Sequence, residues 1–314
     1  MSGKRVNLFP EIIERKPEMG GVTVELMGRT GSGKTALLTH IARRIFEHKK
    51  RLKKKPNSTT MEKMIADEIL FWIDDPDCQW RRLPNYVAKK RILAHRDIYN
   101  HMTFYQDGQP IYIPVIPFSS FDDMMKNLNP DALNVVYLPS REEYLNFLNY
   151  LVKVPKFQWV SVFVDELERI LRQYISGDEL KRLESLVDTM IRGRKRRLSI
   201  FAGTHNRSLV HWQFNKLIMY YAFLMGAREI PDTRVEQRCI DALEIGEFRL
   251  ATAGSWDNPA KRFPAYAPKD DMIVDGLDEF IIPSPIGGGR PLSTTKIPIS
   301  EIKHTNLTIP KNRV

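Results

Sequence analysis

Eight consecutive residues, Gly28-Arg29-Thr30-Gly31-Ser32-Gly33-Lys34-Thr35, carry the most specific chemistry in the chain. They match GxxxxGK[ST] in full. Such a loop turns successive backbone N–H groups toward phosphate oxygens, at the positive end of the helix that follows. Lys34 is expected to reach the β- and γ-phosphates of a nucleotide, and the Thr35 hydroxyl to ligate Mg²⁺. A second chemical element is Val160-Ser161-Val162-Phe163-Val164-Asp165-Glu166, an apolar run closed by two acids. Asp165 suits a Mg²⁺ ligand acting through water, and Glu166 suits a base that polarises an attacking water.

A third candidate follows the apolar run Leu198 to Gly203, where Thr204-His205-Asn206 supplies polar groups. His205 or Thr204 is expected to sense the γ-phosphate. Ahead of that run, Arg192 and the Gly193-Arg194-Lys195-Arg196-Arg197 turn offer an arginine finger to a neighbouring subunit, with Arg192 and Arg194 both candidates. Guanine specificity is disfavoured, because Asn215-Lys216 is followed by Leu217-Ile218 and not by the aspartate of NKxD. The adjacent glutamate favours hydrolysis of a nucleoside triphosphate over phosphoryl transfer to a metabolite.

These residues need elements to hold them. Residues 22–28 read as a strand running into the glycine loop, and Lys34 to about Lys49 as an amphipathic helix. Ile69–Ile73 reads as a strand stopped by Asp74-Asp75-Pro76, followed by a helix around Tyr86 to Ala94. Alternation on both sides of Asp107-Gly108 predicts a β-hairpin between Met102 and Val115, within an insertion of about residues 80–130. Further strands are expected at Asn134–Leu138, Trp159–Val164, Leu198–Gly203, about Leu217–Leu224 and Phe248–Ala253. Helices are expected at about Arg141–Val152, Asp178–Arg192 and Thr233–Leu243. This alternation predicts an α/β fold with a mostly parallel sheet flanked by helices.

The domain organisation expected is an N-terminal arm over 1–19, a P-loop ATPase domain over 20–257 and an extended or disordered tail over 258–314. Eight of the chain's 20 prolines and the Gly287-Gly288-Gly289 run fall in that tail.

The 314 residues carry 48 Lys+Arg against 38 Asp+Glu, a formal charge of +10. Ordinary apolar and charged fractions exclude wholesale disorder and multi-span membrane classes, and the excess of positive charge points to a polyanionic partner. Residues 43–55 (RRIFEHKKRLKKK) are suited to nucleic-acid phosphates. Arg81-Arg82 and Lys89-Lys90-Arg91 add charge beside Trp80 and Tyr86, which are candidates for base stacking. Two distant cysteines, Cys78 and Cys239, indicate neither a disulfide framework nor a zinc site, and fit a reducing, cytoplasmic compartment. The apolar run Leu217–Ala227 is shorter than the ~20 residues of a membrane span, so no integral membrane segment is expected.

In its order of motifs the chain resembles the HerA/FtsK superfamily of P-loop ATPases, DNA translocases and viral genome-packaging ATPases with a RecA-like fold. The resemblance rests on Gly28–Thr35, the strand ending in Asp74-Asp75, Val162–Glu166 and the GRKRRLSIFAGTHN segment over Gly193–Asn206, and it covers about residues 20–255. Gly246-Glu247-Phe248-Arg249-Leu250 resembles the family's late strand. Where the family usually has Thr-Gln, this chain has Thr204-His205. The resemblance implies a ring, with a hexamer favoured, that hydrolyses ATP with Mg²⁺ and moves double-stranded DNA in viral genome packaging or plasmid transfer. It also implies a capsid or transfer-apparatus partner. A second resemblance, to zonula-occludens-toxin-like phage assembly ATPases, implies action at a membrane instead.

Overall fold

Two apolar clusters, one on each face of a sheet, organise the chain. The computed structural model describes residues 10–14, 20–75, 78–83, 85–102, 104–106, 109–153, 159–192, 197–228, 237–243 and 248–252. Its strands are β1 Thr23–Met27, β2 Ile69–Ile73, β3 Lys89–His95, β4 Phe104–Gln106, β5 Gln109–Ile111, β6 Val115–Phe118, β7 Ala132–Tyr137, β8 Val160–Val164, β9 Leu198–Thr204, β10 Tyr220–Leu224 and β11 Phe248–Thr252. Its helices are α1 Pro10–Ile13, α2 Lys34–Lys54, α3 Thr60–Ala66, α4 Arg96–Tyr99, α5 Phe121–Lys126, α6 Arg141–Lys153, α7 Leu167–Ile170, α8 Gly177–Arg192 and α9 Gln237–Asp241.

Nine strands form one sheet in the order β11-β10-β1-β9-β8-β2-β7-β3-β6. All neighbouring pairs are parallel except β10 with β11. Parallel sheets require cover on both faces, and the burial follows that rule. Along β8, Phe163 faces one cluster with Leu38, Ile41 and Phe46 of α2, while Val162 and Val164 face the other with Phe147 and Leu148 of α6 and Leu183 and Leu186 of α8. Six strands, β1, β2, β7, β8, β9 and β10, are buried throughout their length. The result is a three-layered α/β, RecA-like P-loop NTPase fold.

One expected element is corrected. Tyr86–Ala94 does not form a helix: Lys89–His95 is β3, seated between β7 and β6. Ile92, Leu93 and Ala94 are all buried, and a short fully buried run satisfies its backbone in a parallel sheet as readily as in a helix, so periodicity alone did not distinguish them. The residues after β5 also return to the main sheet as β6, extending it beyond β3.

The expected hairpin is present as the antiparallel pair β4 and β5, with Gln106 opposite Gln109. Its turn residues Asp107 and Gly108 lie outside the described residues. So do Gly246-Glu247, the 258–314 tail, most of the N-terminal arm and the first four residues of the helix expected over Thr233–Leu243, of which α9 is the described part. Among the described residues, no helix is long and apolar enough to cross a membrane.

Candidate functional site

In an open parallel sheet, ligands bind beyond the carboxyl ends of the strands. Here β9 lies between β1 and β8, so the loops after these three strands open side by side. The loop after β1 is 28–33, that after β8 starts at Asp165, and that after β9 starts at His205. Three segments read separately in the sequence thus meet at one edge.

Gly33, at φ 102°, is the left-handed residue from which α2 starts, and it offers no side-chain cap. A side chain there is disfavoured sterically, and the first amides of α2 are left without intrahelical acceptors. These are the donors and the positive helix end that a phosphate requires. The loop is tied to its neighbours by backbone bonds: the Gly28 N–H donates to the Thr204 carbonyl at 3.3 Å and the Arg29 N–H to Met225 at 3.1 Å. Lys34 is 6% exposed, and its Nζ donates to the carbonyls of Gly28 at 2.8 Å and Arg29 at 3.1 Å. Burial lowers its pKa, opposed by the negative charges of Asp165, Glu168 and Glu166.

The Thr35 hydroxyl lies 2.8 and 2.9 Å from the two carboxylate oxygens of Asp165 and donates to them. Burial raises the Asp165 pKa; the Thr35 hydrogen bond, Lys34 and, more weakly, Arg82 oppose it. Glu166 follows directly at the N-terminus of α7 and is about two-fifths exposed. Arg169, one turn on, lies 3.8 Å from Glu166 and 3.2 Å from Asp74 at the end of β2. Asp75 is buried and accepts from the Trp80 N–H at 2.8 Å. The acids after β2 therefore bind protein groups.

At the end of β9 the structure separates two residues that the sequence left as alternatives. Thr204 is fully buried, and its hydroxyl donates to Glu25 of β1 at 3.1 Å. His205 is partly exposed, and both its backbone N–H and Nδ1 lie against Glu168 Oε1, at 3.0 and 2.8 Å. Of the two, His205 is the one whose side chain reaches the surface. Just before it, Gly203 passes so close to β8's loop that an added Cβ would stand 2.4 Å from the Asp165 backbone oxygen. Arg194 lies outside the described residues, and of Arg192 the structure describes only the backbone, at the end of α8.

Sequence reasoning missed Glu168 and Arg169. Both follow the Asp-Glu pair within one helical turn, which was the available signal, but their partners are 37 and 95 residues distant. The basic blocks are also altered by the fold. Arg43 and Lys49 are buried, Lys53 is paired with Asp67 and Asp131, and Lys55 with Glu62. Trp80 is buried with its indole N–H donating to Tyr137, so it is not a stacking surface. Tyr86 is exposed, and its carbonyl accepts from Lys50 at 3.0 Å, joining the two basic segments on one surface. With 21 residues at ~1.5 Å rise, the far end of α2 lies roughly 30 Å from the glycine loop.

A parallel sheet delivers Lys34, Thr35 and Asp165 to one edge, the arrangement of a P-loop fold. Among solved structures, the chain is similar to the genome packaging NTPase B204 from Sulfolobus turreted icosahedral virus 2, at 14% identity and a TM-score of 0.45, covering 79% of this chain and 98% of that one. It is also similar to the cytoplasmic domain of the type VII secretion ATPase EccC of Thermomonospora curvata, at 13% identity and a TM-score of 0.39, over 79% of this chain and 24% of that one. A third is the N-terminal domain of zonular occludens toxin from Neisseria meningitidis, at 13% identity and a TM-score of 0.27, over 65% and 76% of the two chains. No family model matches the chain, and no curated protein matches it in sequence.

Proposed function

We propose that this protein is a Mg²⁺-dependent ATPase that assembles as a ring and moves double-stranded DNA, in the manner of a genome-packaging or plasmid-transfer motor. The observation that carries the ATPase reading is the contact of Thr35 with Asp165, with His205 between their two loops. Thr35 and Asp165 together offer hard oxygen donors. Among the described residues no group of three or more His, Cys, Asp or Glu could hold a metal. Such a donor set fits Mg²⁺, which takes one or two protein oxygens and completes its shell with phosphates and water. Bound there, Mg²⁺ would neutralise charge on the β- and γ-phosphates.

The chain's own groups supply the rest. Lys34 and the loop amides bind the phosphates; Glu166 accepts a proton from the attacking water; His205 donates a hydrogen bond to a γ-phosphate oxygen. The water oxygen bonds to γ-phosphorus as its bond to the β,γ-bridging oxygen breaks, giving ADP and phosphate. Arg194 or Arg192 of a neighbouring copy stabilises the charge that develops.

The DNA reading rests on the motif order and on the exposed basic residues Lys50, Arg51, Lys54 and Lys89, Lys50 being bonded to the carbonyl of exposed Tyr86. The decisive experiment is the ATPase rate with and without duplex DNA across a salt series. We expect DNA to raise turnover at low salt and the gain to vanish by moderate salt, because phosphate contacts are lost with counterion release. A protein with no ATPase activity under either condition overturns the reading. A salt-insensitive rate with no DNA response removes DNA and leaves the ATPase.

A further inference from the structure

The carboxylate of Glu168 is mostly buried behind the loop that follows β9. Its Oε1 serves His205 twice, accepting from the backbone N–H at 3.0 Å and facing Nδ1 at 2.8 Å. A carboxylate can only accept, so the ring presents Nδ1–H to Glu168. The second oxygen, Oε2, is buried and makes no hydrogen bond, so the His205 contacts are the hydrogen bonds this carboxylate makes. Both residues follow strands that flank the site: Glu168 lies three residues after Asp165, and His205 follows the strand packed between β1 and β8. The carboxylate is also near enough to Lys34 to oppose the loss of its charge.

Two hydrogen bonds from one imidazole-bearing residue to one fixed acceptor leave the side chain little rotational freedom. Nδ1 is committed to Glu168, and the opposite nitrogen, Nε2, is the one available to a ligand. We propose that Glu168 is the positioning residue of the site: it fixes the ring and the backbone of His205 so that Nε2 faces the γ-phosphate. This rests on the ATPase reading above and adds to it the residue that orients the sensor. A histidine has two ring nitrogens and can present the wrong one; an acceptor on Nδ1 resolves that choice. The same contact ties the loop after β8 to the loop after β9, so that water activation by Glu166 and phosphate contact by His205 share one frame.

The test compares E168A, E168Q, H205A and the E168A/H205A double variant, each checked by thermal melting for a folded state. One charge-assisted hydrogen bond sets the scale, about tenfold in rate. E168A is expected to lower kcat about tenfold with KM for ATP within about threefold. E168Q keeps an acceptor oxygen at the same place and is expected to recover most of that loss. In the H205A background, E168A should cost no more than about twofold. A double variant that falls tenfold below H205A, or an E168Q as slow as E168A, overturns the positioning role. H205A at the parental rate instead overturns the sensor reading, and a parent without ATPase activity overturns the ATPase reading. A measurement independent of turnover is the ring-nitrogen NMR spectrum of labelled protein: Nδ1 of His205 should carry a proton in the parent and lose it in E168A. An unprotonated Nδ1 in the parent overturns the proposal by itself.

Discussion

The hydroxyl of Thr35 donates to both carboxylate oxygens of Asp165, at 2.8 and 2.9 Å, across 130 residues of chain. Neither residue gains this partner from its own segment. The bond joins the first turn of α2 to the end of β8, strands β1 and β8 being separated by β9, and it brings the glycine loop's helix and the acid together. T35A and D165N are each expected to lower ATP turnover by at least 100-fold, and the double variant to be little worse than either, because both remove one shared site. Rates measured over a Mg²⁺ titration check this; fully additive losses would place the two residues in separate functions.

Glu166 differs from Asp165 in its exposure and in its freedom from the Thr35 contact. E166Q keeps the shape and the acceptor but not the basicity, so ATP should still bind, with Kd within about threefold of the parent, while turnover falls by 10²–10⁴-fold. Equilibrium binding of a fluorescent ATP analogue beside steady-state kinetics separates the two effects. Undiminished turnover in E166Q would remove Glu166 as the base.

Gly203 leaves no room for a side chain, since an added Cβ would stand 2.4 Å from the backbone oxygen of Asp165. That contact is with main chain, so β8's loop or β9 must move. G203A is expected to cost about 1–3 kcal/mol of stability and to slow hydrolysis by shifting Asp165 relative to Thr35. Chemical denaturation and kinetics on the same preparation check both parts.

Glu25 is a buried acid within β1, bonded to Thr204, and burial raises its pKa to about 7 against the opposing charge of Arg207. In the unfolded chain it gives up its proton near pH 4.5. Between those values the folded state holds the extra proton, so its contribution to stability falls as pH rises and is at its least above about pH 7. E25Q should therefore be more stable than the parent by about 3 kcal/mol at pH 8, with the difference shrinking toward zero near pH 4.5. Melting curves across that range check the sign as well as the size.

Much of this site was legible because its parts are local. A glycine loop must follow a strand and precede a helix, and Gly28–Thr35 does so within one stretch of chain. The run Val160–Val164 announces a buried strand by its unbroken apolarity, and Asp165-Glu166 marks its end. Physical reasons of the same local kind placed α6 at Arg141–Lys153 and α8 at Gly177–Arg192, whose apolar faces recur at helical spacing.

Other features were settled by neighbours distant in sequence. Lys89–His95 became a strand because β7 and β6 stand on both sides of it, a fact no window of its own residues contains. Lys49 reads as one more charge in a basic run, yet it is buried and gives its ammonium to the carbonyls of Glu68 and Pro130. Thr204 and His205 are consecutive and both polar, and only the packing of β1 against β9 turned the first into the core toward Glu25 and left the second beside Glu168. By itself, then, the sequence determined that a glycine loop between strand and helix and a paired acid after a buried strand exist, since those depend on residue type and short spacing. The tertiary structure alone decided which side chains share that site, because strand order brings together groups more than a hundred residues apart.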